Sequence, residues 1–479
     1  MTLDALNISI AWPEVYLLSM TCLLLVVDVF LKQTQRDASY LMAQVTLLGT
    51  MIIITANMAG QRTEAFNGTF VVDPLADVLK LFICAVVAFV FVYSRGYLKD
   101  RKIFKGEFYV LGLFGVLGMM VMVSSNHMLS LYLGLELLSL SLYAMVAFNR
   151  KSGSSAEAAM KYFILGAIAS GMLLYGISII YGVTGSLSIP QIAASLLNKQ
   201  TEMNIGLVFG LVFLVVGLAF KLGAVPFHMW VPDVYHGAPT IVTSYIASAP
   251  KIAGFAIIIR VLVEALGSLK GDWQDMLIVL AVLSLGVGNV VAIAQTNLKR
   301  MLAYSTISHV GFILLGLLAG TKAGYSSAMF YTLVYSLMSL GGFGIILLLA
   351  KAGFESDELS DLKGLNQRSP WFAFMMLIFM FSMAGVPPTV GFWAKLSVLS
   401  AVVDINMLWL ALIAVFFSII GVYYYLRVIK LMYFDEPVDA GVITNTTEMQ
   451  VVLSFNGLII LLLGVYPSAL MSLCFSVFA

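Results

Sequence analysis

Polar residues along the chain gather into short clusters, and the stretches between them run about twenty residues with almost no charge. An α-helix of that length crosses the hydrocarbon core of a bilayer. The pattern predicts fourteen spans, near 9–31, 39–58, 74–94, 106–124, 127–148, 156–182, 204–232, 240–266, 274–295, 301–320, 326–350, 370–400, 405–430 and 449–474. The seventh and twelfth carry prolines well inside, Pro226 and the pair Pro387 and Pro388, which predicts that both are discontinuous. The expected class is an all-α polytopic membrane protein.

Short strings indicate an internal repeat. "AMKY" at 159–162 returns as "AMFY" at 328–331, each opening a helix rich in glycine and serine. "GAVPFHMW" (223–230) has a counterpart in "GVPPTVGFW" (385–393). In this register spans 4–8 correspond to spans 9–13. Five is odd, so the two copies insert with opposite orientation, as in inverted-repeat transporters. The organisation expected is an N-terminal three-helix segment over 1–105, a first five-helix repeat over 106–266, a second, inverted one over 267–433, and a C-terminal loop with the fourteenth helix over 434–479.

Loop charge sets the orientation. Sixteen lysines and arginines lie after odd-numbered spans, among them Arg101, Arg150, Lys299, Arg300 and Lys351, against four after even-numbered ones, Arg62, Lys199, Lys270 and Lys322. By the positive-inside rule the odd loops are cytoplasmic and both termini face the periplasmic side. Composition then acts by exclusion. With 61% hydrophobic and 11% charged residues the chain is no soluble domain, and a net charge of +1 gives no reason to expect nucleic acid. Cys22, Cys84 and Cys474 are scattered through apolar runs and read as buried, inert thiols, not disulfides or metal ligands. The opening "MTLDALNISIAW" has no basic stretch, so no cleaved signal peptide is expected.

The charges left inside the spans carry the most information. Lys80, Lys161, Lys221, Lys251, Arg260 and Lys395, with the acids Asp77 and Glu136, sit in runs where a central charge costs about 2.5–3.5 kcal/mol. Asp77 and Lys80, in the first turns of their helix, read as a local ion pair, and Arg260 as a side chain that snorkels to the outer interface. Glu136, Lys221, Lys251 and Lys395 lie several turns from any helix end; Lys251 is roughly 16 Å along its helix at 1.5 Å per residue. These four are read as functional.

Each deep lysine also has a helix-breaking proline close by. Pro226 frees the carbonyl of Leu222, Pro250 that of Ile246, and Pro387 and Pro388 those of Met383 and Ala384. Broken backbone at membrane depth is tolerated only where protein or water satisfies it, so the breaks are expected to mark hydrated sites. His228 stands at the first break and His309 inside the tenth span, whereas His127 reads as structural and His236 as a solvated loop residue. "GVGNVVA" (286–292) mimics part of a dinucleotide fingerprint, but it lies in an apolar helix with no preceding strand and is rejected.

"QTNLKRMLAYSTISHVGFILLG" (295–316), with "FKLGAVPFHMWVPDVYHGAPT" (220–240), resembles the proton-antiporter-like membrane subunits of respiratory complex I, the NADH-quinone oxidoreductase. That family also includes Mrp-type cation/proton antiporters and membrane-bound hydrogenases. The likeness runs from about the fourth to the thirteenth span. Within the family, three features favour one branch: fourteen helices, a chain that stops after the last of them with no lateral helix, and a lysine in the broken twelfth span.

The resemblance implies a proton relay in which Glu136 pairs with Lys221, Lys251 is central and Lys395 terminal. Lys161 matches an additional lysine, His228 the histidine at the first break, and His309 lies in the family motif. Ser305 and Phe330 stand where the second half would match Glu136 and Lys161, so the two halves are expected to differ chemically. The resemblance also implies a bacterial inner membrane, lipid and other membrane-arm subunits as partners, protons as cargo, and no cofactor in this chain. NADH, FMN, Fe–S clusters and quinone are expected on other subunits.

A lysine out of water sheds its proton more readily, and a carboxylate nearby reverses the effect. At an effective dielectric of about 20, unit charges 4 Å apart interact by about 4 kcal/mol, equivalent to about 3 pKa units. The expected mechanism has Glu136 tune Lys221, Lys221 exchange protons with Lys251 through water and His228, and Lys395 hand them to the outer face, driven by quinone reduction elsewhere. A self-sufficient sodium or potassium/proton antiporter and a non-pumping scaffold subunit stay open as alternatives.

Overall fold

Long uninterrupted apolar runs leave backbone groups only one way to be satisfied in lipid, within their own helix, and the chain is helical almost throughout. The computed structural model describes residues 7–58, 60–198, 205–350, 355–437 and 446–479; Lys199 and Lys351, two of the loop cations counted above, lie outside them. In chain order the elements begin with α1 (Trp12–Phe30), α2 (Asp37–Asn57), a hairpin of β1 (Thr63–Ala65) and β2 (Phe70–Val72), α3 (Pro74–Asp100), α4 (Glu107–Val123), α5 (Met128–Val146), α6 (Gly153–Thr184) and α7 (Ile189–Asn198). There follow α8 (Ile205–Leu222), α9 (Trp230–Gly237), α10 (Thr240–Ala247), α11 (Ala249–Ile258), a π-helical turn (Ile259–Ala265), α12 (Lys270–Ile293), α13 (Leu298–Leu318) and α14 (Lys322–Leu349). The last are α15 (Leu365–Arg368), α16 (Pro370–Ala384), α17 (Val390–Asp404), α18 (Leu408–Phe434), α19 (Thr447–Val465) and α20 (Ser468–Val477).

Among the described residues twelve helical stretches are long and apolar enough to cross a membrane, and Glu107–Val123, Pro370–Ala384 and Ser468–Val477 are apolar but shorter. The all-α polytopic class stands. Every predicted run holds at least one helix, and the seventh and twelfth are interrupted as expected, α8/α9 and α16/α17. The eighth is divided too: α10 stops at Ala247, Ser248 has φ −113° and ψ −88°, and α11 then runs into the π turn. Hydropathy alone did not show α7 or the hairpin, whose turn carries Asn67 and Gly68 at positive φ.

The chain packs as two compact units. One comprises Met1–Phe91, Phe104–Leu222 and Ala249–Met276. Here α4 lies on α5 and α6 on α8. Helix α4 meets α5 backbone to backbone: a Cβ on Gly118 would stand 2.6 Å from the Gly134 carbonyl oxygen, so only glycine permits the approach. The other unit comprises Val92–Ile103, Gly223–Ser248 and Leu277–Ala479. Its centre is α14, which packs against α10, α13, α16, α17, α19 and α20 and, like α13, is buried almost throughout. A helix covered on all sides needs no polar stripe facing solvent.

Three expectations are corrected. Arg260 does not snorkel: it is wholly buried, bonded to Asp73 at 2.8 Å, Glu264 at 2.5 Å and the Val123 carbonyl at 3.2 Å. Two carboxylates and a carbonyl satisfy the buried guanidinium with charge-assisted hydrogen bonds. Lys80 pairs not with Asp77 but with Glu14 of α1, at 2.6 Å, because its helix turns it towards that neighbour. Cys22 is exposed, while Cys84 and Cys474 are buried; all three are free. An apolar run does not reveal which of its faces the bundle covers.

Candidate functional site

At the first break Gly223, at φ +80°, turns the chain out of α8, and Pro226 has no N–H with which to resume it. Residues 223–229 follow irregularly until α9. The amide of Val225 donates to Ser284 Oγ at 2.9 Å, so the opened backbone is partly met by a serine. The carbonyl of Leu222, the group that Pro226 was expected to orphan, accepts from Lys251 Nζ at 2.7 Å. Lys251 is only 2% exposed, which makes this contact a buried one.

Lys221, one residue earlier, donates to Ser139 Oγ of α5 at 2.8 Å. Ser139 stands three residues after Glu136, and Glu136 accepts from Ser170 Oγ of α6. Among the described residues no ion pair within 4.0 Å joins Glu136 to Lys221. Each member of the expected pair is held by a serine hydroxyl. Lys161 is not gathered with them: it is on an exposed face of α6 and pairs with Glu157 at 2.9 Å, one helical turn away. Such an exposed pair is worth about 0.3–0.5 kcal/mol, so Lys161→Ala is expected to leave the thermal midpoint of the purified protein nearly unchanged.

These four residues belong to the first unit; His228, His309 and Lys395 belong to the second. The second break repeats the local design. Gly385, at φ +85°, ends α16, Pro387 and Pro388 prevent its continuation, and the Gly391 amide donates to Ser382 Oγ at 3.1 Å. Here the last carbonyl of α16, that of Ala384, accepts from Lys395 Nζ at 2.8 Å. The same ammonium donates to Ser418 Oγ at 2.9 Å and stands 5.2 Å from the centre of the Phe312 ring. A carbonyl takes a hydrogen bond from an amine as well as from an ammonium. It therefore positions the nitrogen without fixing its proton, as a carboxylate partner would.

His309, 3% exposed, is held at both ring nitrogens: Nδ1 by the Tyr331 hydroxyl at 2.7 Å and Nε2 by the Tyr425 hydroxyl at 3.1 Å. Tyr425 continues to Ser305 Oγ at 2.5 Å. A ring bonded on both sides can accept a proton at one nitrogen and release one from the other. His228 is half-buried in the first break, and its Nδ1 is enclosed with no hydrogen-bond partner among the described residues. His127 caps α5, accepting from the Leu129 amide at 3.3 Å, and His236 is exposed.

A family model described as NADH:quinone oxidoreductase/Mrp antiporter, TM, matches residues 125–421, which include all seven candidate residues. A relative from Thioalkalivibrio sulfidiphilus, named NADH-quinone oxidoreductase subunit N, is 63% identical over 461 residues, covering 96% of each chain. The chain belongs to the subunit N branch of that family.

Among solved structures, a chain of respiratory complex I from Thermus thermophilus with bound aureothin superposes with a TM-score of 0.83 at 29% identity, over 96% of this chain and 98% of that one. A chain of the Mrp complex from Dietzia sp. shares the fold, with a TM-score of 0.85 at 20% identity, over 100% of this chain and 97% of that one. Several neutral partners of the candidate residues carry no charge to mark them in the sequence: Ser139, Ser170 and Ser418, and the tyrosines Tyr331 and Tyr425. The serines had a usable signal, since "LELLSLSLY" sets Ser139 one turn from Glu136. The tyrosines had none, because tyrosine in an apolar helix reads as packing.

Proposed function

We propose that the chain is a proton-translocating subunit in the membrane arm of a NADH-quinone oxidoreductase, set in a bacterial inner membrane. Other subunits would hold NADH, FMN, the Fe–S clusters and quinone. One observation carries the reading. At each of two interrupted spans the final helical carbonyl, Leu222 or Ala384, accepts a hydrogen bond from a lysine nitrogen, Lys251 or Lys395. An ionisable side chain at membrane depth that is held by a backbone carbonyl fits a proton carrier.

Glu136 and Lys221 form the loading end, coupled through Ser139 and Ser170. Lys251 is the central carrier, and Lys395 with His309 the releasing end. His228 exchanges protons with water at the first break. Lys161 takes part only through a neighbouring subunit that covers its face of α6. The like geometry at the two breaks supports an inverted repeat of spans 4–8 and 9–13. Counting α4 and the broken α16/α17 with the twelve longer stretches gives fourteen crossings and, with the loop charges, two periplasmic termini.

The test uses the complete complex in sealed vesicles. Lys395→Met should leave the assembly intact and lower NADH-driven proton translocation by about tenfold or more, the scale of a lost proton-transfer group. Translocation at the wild-type rate would remove Lys395 from the path. The chain alone in vesicles should not exchange sodium or potassium for protons; exchange there would favour the antiporter reading.

A further inference from the structure

Helix α10, the first half of the eighth span, carries hydroxyls at Thr240 and Ser244, and Ser248 follows at its end. Thr240 and Ser244 are four residues apart, so they share one face with a rise of about 6 Å, and Ser248 comes four residues later, where the helix ends. All three are wholly buried. Ser248 Oγ donates to the Ser244 carbonyl at 2.7 Å, and Ser336 Oγ of α14 donates to the Ser248 carbonyl at 3.2 Å. Ser244 Oγ is enclosed with no hydrogen-bond partner among the described residues. A buried hydroxyl without a protein partner is a place for a water molecule.

At the outer end of this line Thr240 Oγ1 donates to Glu355 Oε2 at 2.7 Å. Tyr97 of α3 donates its hydroxyl to the same carboxylate at 2.8 Å and accepts from the Thr240 amide at 3.2 Å, and Arg101 lies 3.0 Å from Glu355 Oε1. Lys299 secures the same bend through the Ala238 carbonyl at 2.9 Å. The Glu355 side chain keeps 31% of its exposure. One carboxylate thus touches solvent on one side and a fully buried hydroxyl on the other.

We infer that Glu355 is a proton-uptake group and that Thr240, Ser244 and Ser248 form the path leading inward from it. The inference rests on the relay proposed above, and it adds an inlet on the loop proposed as cytoplasmic. The ionised carboxylate takes a proton from solvent and becomes a neutral acid. The bond to Thr240 then reverses: the acid donates its proton to Thr240 Oγ1, whose own proton passes to the next acceptor, and the carboxylate is restored. With a step of about 6 Å from Thr240 to Ser244, one water molecule relays each transfer between successive hydroxyls. Lys251 follows Ser248 by three residues in the chain.

The experiment measures NADH-driven proton translocation by the complete complex in sealed vesicles. Glu355→Gln keeps the size of the side chain and an acceptor for Thr240 but carries no proton, and should slow translocation about tenfold or more. Glu355→Asp, or formic acid added to the Gln variant, should restore most of the rate, which a merely structural loss would not allow. Ser244→Ala should slow translocation and raise its solvent deuterium isotope effect. Wild-type rates in both Glu355→Gln and Ser244→Ala overturn the inference, as does a Gln variant that neither Asp nor formic acid rescues. Should Glu355→Gln not assemble, Ser244→Ala decides alone. Lys251→Ala, run beside them, separates the levels: normal translocation there sinks the relay itself. Its failure beside normal Glu355 and Ser244 variants sinks only the inlet.

Discussion

Lys251→Arg should block proton translocation as completely as Lys251→Met. Arginine keeps the positive charge and a donor for the Leu222 carbonyl, now met by Lys251 Nζ at 2.7 Å. It does not give up its proton under any condition the protein meets. Methionine fills similar space with no charge and no donor. If Lys251 serves only to close the end of α8, arginine should substitute well and methionine badly. If it carries protons, both fail, with losses of about a hundredfold in transfer through this subunit. The measurement is NADH-driven acidification in vesicles, with assembly checked by retention of the subunit in the purified complex. Normal pumping in the arginine variant would reduce Lys251 to a helix cap.

Lys395 offers the comparison. Its nitrogen meets the equivalent carbonyl, that of Ala384, yet it is delivered from the second half of its own broken span, whereas Lys251 comes from the following one. Two different parts of the chain bring the same group to the same kind of acceptor. A proline break supplies a carbonyl at depth, and a lysine is the side chain that can both satisfy it and leave it. In the proposed relay Pro226 and Pro388 therefore supply the carbonyls that hold the two lysines, besides shaping the helix.

The readable part of this design was whatever depends on length and on the backbone. Twenty-residue apolar runs gave the helices, and prolines gave the breaks, down to the carbonyls of Leu222 and Ala384. Side-chain surroundings were not readable. Nothing in "AMKYFILG" tells that Lys161 faces outward while Lys251 is enclosed, because lipid-facing and bundle-facing positions are equally apolar. For the same reason Arg260 looked like a residue near a helix end, when its partners Asp73 and Val123 are more than a hundred residues away. The resemblance pairs Glu136 with Lys221, and a pairing of charges passes over the hydroxyls of Ser139 and Ser170 that hold them.

Arg260→Met should cost about 3–5 kcal/mol, the usual penalty for removing one side of a buried ion pair. The clamp joins the π turn after α11 to the start of α3 and the end of α4. Arg260 reaches Asp73 and Glu264, Arg62 lies 3.4 Å from Glu264, and Arg62 also donates to Asn126 at 2.8 Å. Most of the cost comes from Asp73, which loses its guanidinium, and from Glu264, which keeps only Arg62. The triple variant Arg260→Met, Asp73→Asn, Glu264→Gln should therefore recover stability relative to Arg260→Met alone. Burial pushes the Asp73 carboxyl up, but Arg260, the Ala76 amide and Arg62 pull it further down, so it rests below the ordinary carboxylate value. A depressed carboxyl contributes stability that is complete above the unfolded pKa of about 3.9 and is lost as pH falls through the folded one. The gap in thermal midpoint between wild type and Asp73→Asn should accordingly stay constant from about pH 8 to pH 5 and narrow only below about pH 4. Thermal unfolding of the purified complex across that range reads all three variants. A gap that already narrows between pH 8 and pH 5, or an Arg260→Met variant as stable as wild type, would mean that the clamp does not hold these helices together.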